Sequence, residues 1–357
     1  MPAGTSALPE RISVVRQRSP RRAATLTDVA RRAGVSVATA SKALNARDEV
    51  AAETRRRVME AAQELSFQPN VLARGLISGR TRTVGLLTDD LAGRFAIPVM
   101  LGVEDALGDQ QMSVLLCDAR GDAIRRQHYI RTLLARQVDG LIVLGDSNDM
   151  RPSLTADIPV PVVYVYAESD DPKDLSIVSD DRGGATLAAE HLLAQGRRAI
   201  THITGEQTYR AARERAEGLR VALEAAGLDI VAGPMFGEWT QQWGRHAART
   251  LLTAHPGVDA IFCGSDQIAT GVADALHQMG RRIPDDVALV GYDNWEVFAA
   301  ECRPPLTTID LNLQQLGGAA VRYLFAALDG EPASGVVRHP ARLVVRESTG
   351  PRPDPAG

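Results

Sequence analysis

From Thr83 onward, short runs rich in β-branched and other apolar residues alternate with stretches of helical character, and this alternation restricts the fold more than any other feature. The strand candidates are Val84–Leu87, Val114–Cys117, Leu141–Leu144, Val162–Val165, Ile200–Ile203, Ala260–Cys263 and Val287–Val290. Helical stretches lie between them, at Ala123–Arg136, Gly183–Gln195, Arg213–Ala226, Trp243–Thr253 and Gln267–Met279. Strands that alternate with helices imply parallel sheets covered on both faces. There are too many strands for one small sheet. The expected architecture is two Rossmann-like α/β lobes, with a crevice at the carboxyl ends of the strands.

The 357 residues allow two or three domains, and 45% hydrophobic with 24% charged residues suits a soluble chain with a sizeable core. The net charge of −4 is unevenly spread. Residues 1–83 hold 15 Arg plus Lys against 7 Asp plus Glu, a balance of +8, so the remainder carries −12. A basic head on an acidic body is the footprint of a nucleic-acid-binding module joined to something else. Cys117, Cys263 and Cys302 show no CxxC spacing and read as buried, reduced thiols of a cytoplasmic protein. No run approaches the ~18 apolar residues of a membrane span. The Arg-rich first 24 residues lack the apolar centre of a signal peptide and read as a disordered basic tail.

Within the head, Thr25 to Phe67 reads as three short helices. Thr25 can cap the first, with Asp28 closing a capping box, and Leu26, Val29, Ala30 and Ala33 form its apolar face. Gly34 ends it, because glycine accepts the left-handed backbone of a tight turn. Ser36 caps a second helix, Val37 to Leu44. A loop, Asn45 to Glu49, leads to a third from about Glu53 to Leu65, with Val58, Ala61, Ala62 and Leu65 inward. Two helices joined by a short glycine-containing turn form a helix-turn-helix.

The order Thr25-Leu26-Thr27-Asp28-Val29-Ala30, Ala33-Gly34-Val35-Ser36 and Thr39-Ala40-Ser41-Lys42-Ala43-Leu44-Asn45 closely resembles the headpiece of the LacI/GalR family of bacterial repressors. The likeness continues through Pro69-Asn70 and Ala73-Arg74-Gly75-Leu76. It extends along the sensor in Val138-Asp139-Gly140-Leu141, Gly264-Ser265-Asp266, Val290-Gly291-Tyr292-Asp293-Asn294, Pro305-Leu306-Thr307-Thr308-Ile309 and Arg346-Glu347-Ser348. The resemblance implies an all-α helix-turn-helix headpiece followed by an α/β sensor of the periplasmic-binding-protein type. Its implied divisions are a tail (1–24), the headpiece (25–70), a hinge (71–82), the sensor (83–349) and a second tail (350–357). The chain would cross between lobes three times, giving one lobe about 83–178 and 312–338 and the other about 181–307 and 341–349.

For the head, the resemblance places Val37, Ala38 and Lys42 against base edges. Two apolar side chains can meet thymine methyls, and Lys42 can donate to guanine or phosphate. Thr27, Ser36, Thr39 and Asn45 suit phosphate contacts. Arg74 and Leu76 fall in the hinge, where the family's leucine wedges into the minor groove. Gly75 lowers intrinsic helicity by ~1 kcal/mol, which suits folding on binding. For the sensor, the implied ligand residues are Arg215, Asp266, Asp293 and Trp239, with Phe95 and Trp295 at loop positions. Tyr166 stands where many members have an Asp that touches ligand, which opens the question of which sugar is bound.

The implied protein is a homodimeric repressor of a carbohydrate-utilisation operon, bound to pseudo-palindromic double-stranded operator DNA and controlled by a sugar-like small molecule. A purine or phosphorylated effector is the alternative within the class, and a sugar-binding transport protein is the alternative outside it. No cofactor or metal is expected. The seven histidines show no ligand spacing, and neither a Walker A motif nor a G-x-S-x-G elbow occurs, so no enzyme is implied.

Overall fold

The computed structural model describes residues 24–44, 49–67 and 80–350. The basic tail up to residue 23, Asn45, the hinge positions 71–79 with Arg74 and Leu76, and residues 351–357 lie outside them. The chain divides into two compact units, residues 1–79 and 80–357.

The first unit contains α1 (Leu26–Ala33), α2 (Val37–Leu44) and α3 (Ala52–Glu64). The Thr25 hydroxyl accepts from the Asp28 amide while the Asp28 carboxylate accepts from the Thr25 amide, so two otherwise orphaned donors are satisfied at once. Gly34 ends α1 at φ 67°, a left-handed conformation that a side chain would disfavour. Ser36 Oγ accepts from the Thr39 amide at 3.0 Å and so caps α2. The core is small and made mostly of short side chains: Val29, Ala30, Ala33, Ala40, Ala43, Val58, Ala61 and Ala62. Leu65 is only partly buried against it.

The second unit runs β1 (Thr83–Thr88), α4 (Ala96–Gly108), β2 (Ser113–Asp118), α5 (Ala123–Ala135), β3 (Gly140–Leu144), β4 (Met150–Arg151), β5 (Val162–Val165), β6 (Glu168–Ser169) and β7 (Leu175–Ser179). It continues with α6 (Asp181–Ala194), β8 (Ile200–Thr204), α7 (Arg210–Ala225), β9 (Pro234–Phe236), α8 (Gln241–Ala254), β10 (Ala260–Cys263), α9 (Asp266–Gln278), β11 (Ala288–Tyr292), α10 (Glu296–Ala299) and β12 (Thr307–Asp310). It closes with α11 (Leu313–Leu328), β13 (Gly335–His339) and β14 (Arg342–Val344). Two six-stranded sheets result, ordered β13-β7-β5-β3-β1-β2 in lobe 1 and β14-β12-β11-β10-β8-β9 in lobe 2. The pairings within them are parallel except β12 with β14. The chain passes from one sheet to the other after β7, after β12 and after β13.

All seven strand candidates lie in these sheets. Strands β7 and β12 escaped the sequence reading because Ser and Thr interrupt their apolar runs. Two of their buried hydroxyls are offset by partners: Ser176 Oγ accepts from the Ser169 amide, and Thr307 Oγ1 donates to the Arg346 carbonyl. The helix α11 was also passed over.

Each lobe clamps a pair of helices through reciprocal glycines. A Cβ on Gly102 of α4 would lie 1.8 Å from the Gln314 carbonyl oxygen, and one on Gly317 of α11 would lie 2.2 Å from that of Val99. Lobe 2 repeats the device between α8 and α9. There Gly244 faces the Ile268 carbonyl and Gly271 that of Gln241. Cys263 and Cys302 are buried as expected, but Cys117, on strand β2 near the sheet edge, is only partly so, which corrects that expectation. Among the described residues no helix is long and apolar enough to cross a membrane.

Candidate functional site

The carboxyl ends of both sheets lead into loops that bound a cavity of about 200 Å³. Lobe 1 supplies Arg94 and Phe95 between β1 and α4, Asp146, Ser147 and Asn148 after β3, and Tyr166 after β5. Lobe 2 supplies Tyr209, Ala211 and Arg215 around the start of α7, and Trp239. Such a crevice is where open α/β sheets hold ligands.

Arg215 is the most constrained of these groups. It is 2% exposed, and its Nε donates to Asp181 Oδ1 at 2.7 Å. Its Nη1 donates to the Gly264 carbonyl and lies 3.6 Å from Asp293 Oδ1. The guanidinium carbon stands 3.7 Å from the centre of the Tyr292 ring. Burial opposes its charge, but Asp181 and Asp293 outweigh burial and hold its pKa above the ordinary value. A guanidinium held on so many sides has one orientation, so whatever fills the cavity meets a preset donor.

Asp293 is reached from both lobes. Its Oδ2 pairs with Arg94 Nη2 at 2.7 Å, and its side chain is 3% exposed. Burial raises its pKa, while Arg94 and then Arg215 oppose the rise. Its backbone φ of 99° and that of Asn294, 50°, make a tight bend after β11 that turns the carboxylate inward. Arg94 also lies over the Phe95 ring at 4.6 Å and the Trp295 ring at 5.2 Å.

The aromatic walls are fixed by close approaches. Phe95 and Tyr166 stand 4.8 Å apart between ring centres, and Tyr166 adopts φ 69°. Burial lifts the Tyr166 phenol above its ordinary pKa, so it stays a neutral donor. Trp239 lies against the end of β8, where a Cβ on Gly205 would be 2.0 Å from the indole. Tyr209 meets Trp239 edge-on at 5.9 Å.

Of the sensor residues singled out from sequence, Phe95, Tyr166, Arg215 and Trp239 line the cavity together. Asp293 joins them through Arg94 and Arg215. Asp266 and Trp295 are not in the wall. The Asp266 carboxylate is fully buried and already occupied, accepting from Thr308 Oγ1 at 2.6 Å and the Trp295 amide at 2.7 Å. Burial, then Asp293, pushes its pKa up to about 8. The cap of α9 is Ser265, whose Oγ accepts from the Ile268 amide. Asp266 therefore ties the β11–α10 turn to β12. The sequence reading missed Arg94, Asn148, Asp181 and Tyr209. For Asn148 there was a signal: the polar run Asp146-Ser147-Asn148-Asp149 follows directly on an apolar strand.

In the head, Thr27, Ser36, Val37, Ala38 and Lys42 are exposed, and Thr39 is half-buried. Ala40 and Ala43 face the core, so Val37, Ala38 and Lys42 share the outer face of α2. Ser36 and Thr39 are joined by a hydroxyl pair at 2.8 Å, and Lys42 forms an ion pair with Glu49. An exposed pair of this kind is worth little, and a phosphate or base can displace the carboxylate.

Comparison with known proteins bears on both units. Residues 25–70 match the family described as bacterial regulatory proteins, lacI family, and residues 189–349 match the periplasmic binding protein-like domain. The chain is 34% identical to the ribose operon repressor of Halalkalibacterium halodurans, across 91% of this chain and 97% of that one. It is 33% identical to the HTH-type transcriptional repressor PurR of Aliivibrio salmonicida, across 84% and 91%. The crystal structure of the lac repressor dimer bound to operator and the anti-inducer ONPF aligns at a TM-score of 0.72 and 27% identity, covering 92% of this chain and all of that one.

Proposed function

The chain belongs to the lacI family of bacterial regulatory proteins, and from that premise we propose a cytoplasmic repressor that reads operator DNA through α2 and answers to a sugar held between its lobes. It is a DNA-binding transcriptional regulator, and enzymatic chemistry forms no part of the reading. The observation that carries the proposal is the cavity itself. Aromatic rings from both lobes face a guanidinium of fixed orientation, the pattern that grips a polyol ring by its apolar face and its hydroxyls. A relative that represses the ribose operon supports the sugar; the similarity to PurR keeps a purine as the second reading.

The reading assigns base contacts to Val37, Ala38 and Lys42, and phosphate contacts to Thr27, Ser36 and Thr39. Asn45, Arg74 and Leu76 complete it on the resemblance alone. Arg215, Trp239, Phe95 and Tyr166 would touch the effector, with Asp293 orienting the two guanidiniums. The lac repressor similar to this chain was solved as a dimer. Here α4 leaves Ile97 and Leu101 49% and 47% exposed, and lobe 2 leaves Val221 and Met279 each 38% exposed, which supports a homodimer through the sensor.

The test is operator binding by the full chain, with a panel of pentoses, hexoses, disaccharides and nucleobases. Lys42→Ala should weaken operator binding by about tenfold, the loss of one charge-assisted contact. Trp239→Ala should keep operator binding and lose the response to the active sugar. Light scattering of the same sample should give a dimer mass. A response to nucleobases and to no sugar establishes the second reading, and operator binding unchanged in Lys42→Ala removes α2 from the interface.

A further inference from the structure

We propose that the β3–β4 loop of lobe 1 is the missing N-cap of helix α7 in lobe 2, a clasp between Asn148, Asp149 and the first two amides of α7 that must break whenever the lobes part. Lobe 2 has four long helices, and three are capped by the residue just before them. Asp180 accepts from the Gly183 amide for α6, Thr240 from that of Trp243 for α8, and Ser265 from that of Ile268 for α9. Helix α7 begins after Tyr209, which makes no such side-chain bond. A helix start leaves orphan amides that need acceptors when water is excluded.

Here the acceptors come from the other lobe. Asp149 Oδ1 accepts from the Arg210 amide at 2.9 Å, and Asn148 Oδ1 accepts from the Ala211 amide at 3.1 Å. Asn148 is 5% exposed and uses both ends of its amide, because its Nδ2 donates to Asp181 Oδ2 at 2.8 Å. Asp181 is the same carboxylate that holds Arg215. The Arg210 side chain closes the clasp from the opposite direction by pairing with Glu168 of β6.

Two consequences follow from this geometry. Asn148, Tyr209 and Ala211 line the cavity, so a ligand that fills it lies against the clasp. Opening the lobes removes the acceptors of the Arg210 and Ala211 amides, so the order of the first turn of α7 is coupled to closure. A side chain that capped α7 locally would uncouple them; this chain has none at Tyr209.

Hydrogen exchange of the unliganded full chain, resolved to single amides, tests the clasp without DNA or effector. In the parent, the Arg210 and Ala211 amides should exchange at least about tenfold more slowly than the free-chain rate. Asn148→Ala should lose that protection at Ala211, and Asp149→Ala at Arg210. Asp149→Asn keeps an acceptor oxygen and should retain it. The Trp243 amide, capped by Thr240 within lobe 2, should be unchanged throughout and reports that the lobe remains folded. If Asn148→Ala does not fold, the two Asp149 variants carry the comparison. The Asn148→Ala, Asp149→Ala double variant should also scatter X-rays as a more extended particle. Free-chain exchange at Arg210 and Ala211 in the parent overturns the proposal. So does lost protection with an unchanged scattering profile, because the cap would then hold α7 without holding the lobes.

Discussion

Lobe 2 backs its rings at the cleft with charge held under cover, whereas lobe 1 sets its rings beside a polar loop. In lobe 2, Asp181, Arg215 and Asp266 are each no more than 2% exposed, and the Asp293 side chain is 3% exposed. In lobe 1 the cleft is faced by Phe95, Tyr166 and the loop from Asp146 to Asn148, with Asp146 standing exposed. The difference teaches that the site of lobe 2 is inseparable from its core. A buried ion pair with one partner removed leaves an uncompensated charge, while an exposed carboxylate can be replaced at little cost to the fold. Arg94 is a lobe 1 cation that reaches across, with Asp293 as its partner.

Arg215→Met should cost lobe 2 more stability than any other single change at the cleft. It leaves Asp181 with the neutral Asn148 amide alone and Asp293 with Arg94 alone, and it should destabilise lobe 2 by about 3–5 kcal/mol. The three tryptophans, Trp239, Trp243 and Trp295, all belong to lobe 2, so denaturant unfolding followed by their fluorescence reads that lobe directly. A transition unmoved by the substitution would mean that Arg215 serves ligand alone, and the contrast between the lobes would fall.

The buried charge of lobe 2 also makes its stability depend on pH. The folded pKa of Asp266 is about 8 against an ordinary value of 3.8. Between those values the folded state keeps a proton that the unfolded state has released, so this group's contribution to stability falls as pH rises and the fall is complete above about 8. His202, buried against Phe262 with its pKa pushed down to about 4, acts in the opposite sense. The unfolded state takes up that proton first, so stability falls as pH drops below 6.5. From pH 6.5 to 8 the Asp266 contribution therefore stands clear of His202, with a slope of at most about 1.4 kcal/mol per pH unit. Asp266→Asn can donate to Thr308 and accept from the Trp295 amide, and its melting temperature should fall less than the parent's across that window. Equal falls would assign the titration to another group.

The smallest effect on stability belongs to lobe 1. Asp146→Asn should unfold within about 0.5 kcal/mol of the parent, while the affinity for a sugar that stabilises the parent in a thermal-shift screen drops by about tenfold. A stability loss comparable to that of Arg215→Met would erase the distinction between the walls.

Much of the fold was legible because its signals are local. The Thr25–Asp28 capping box, the Gly34 turn and the Ser36 cap are each written within four residues, and each appears in the structure. The seven apolar strands announced themselves through short apolar runs, which suit a strand covered on both faces; β2, at the sheet edge, is the one that is only partly covered. Strands β7 and β12 stayed hidden because their hydroxyls find partners in other elements, at Ser169 of β6 and at Arg346 beyond β14. For the cleft, Phe95, Tyr166, Arg215 and Trp239 were placed correctly by resemblance, whereas Asp266 and Trp295 stand outside the wall; Arg94, Asn148 and Asp181 were missed, because each draws its importance from a partner in another segment.

The helical head, the α/β class of the remainder and the family that both together resemble can be read along the chain, since caps, turn glycines and apolar periodicity act over a few bonds whatever lies beyond them. Which charges share a space is settled by packing between distant segments. Asp181, Arg215 and Asp293 sit on α6, on α7 and after β11, and nothing in their neighbourhoods along the chain marks them as one network. The energy of a charge depends on what has been removed around it and on how near its partner stands, and both are set when the lobes close. The same holds for Asn148, an ordinary loop amide in the sequence that becomes the cap of a helix in the facing lobe.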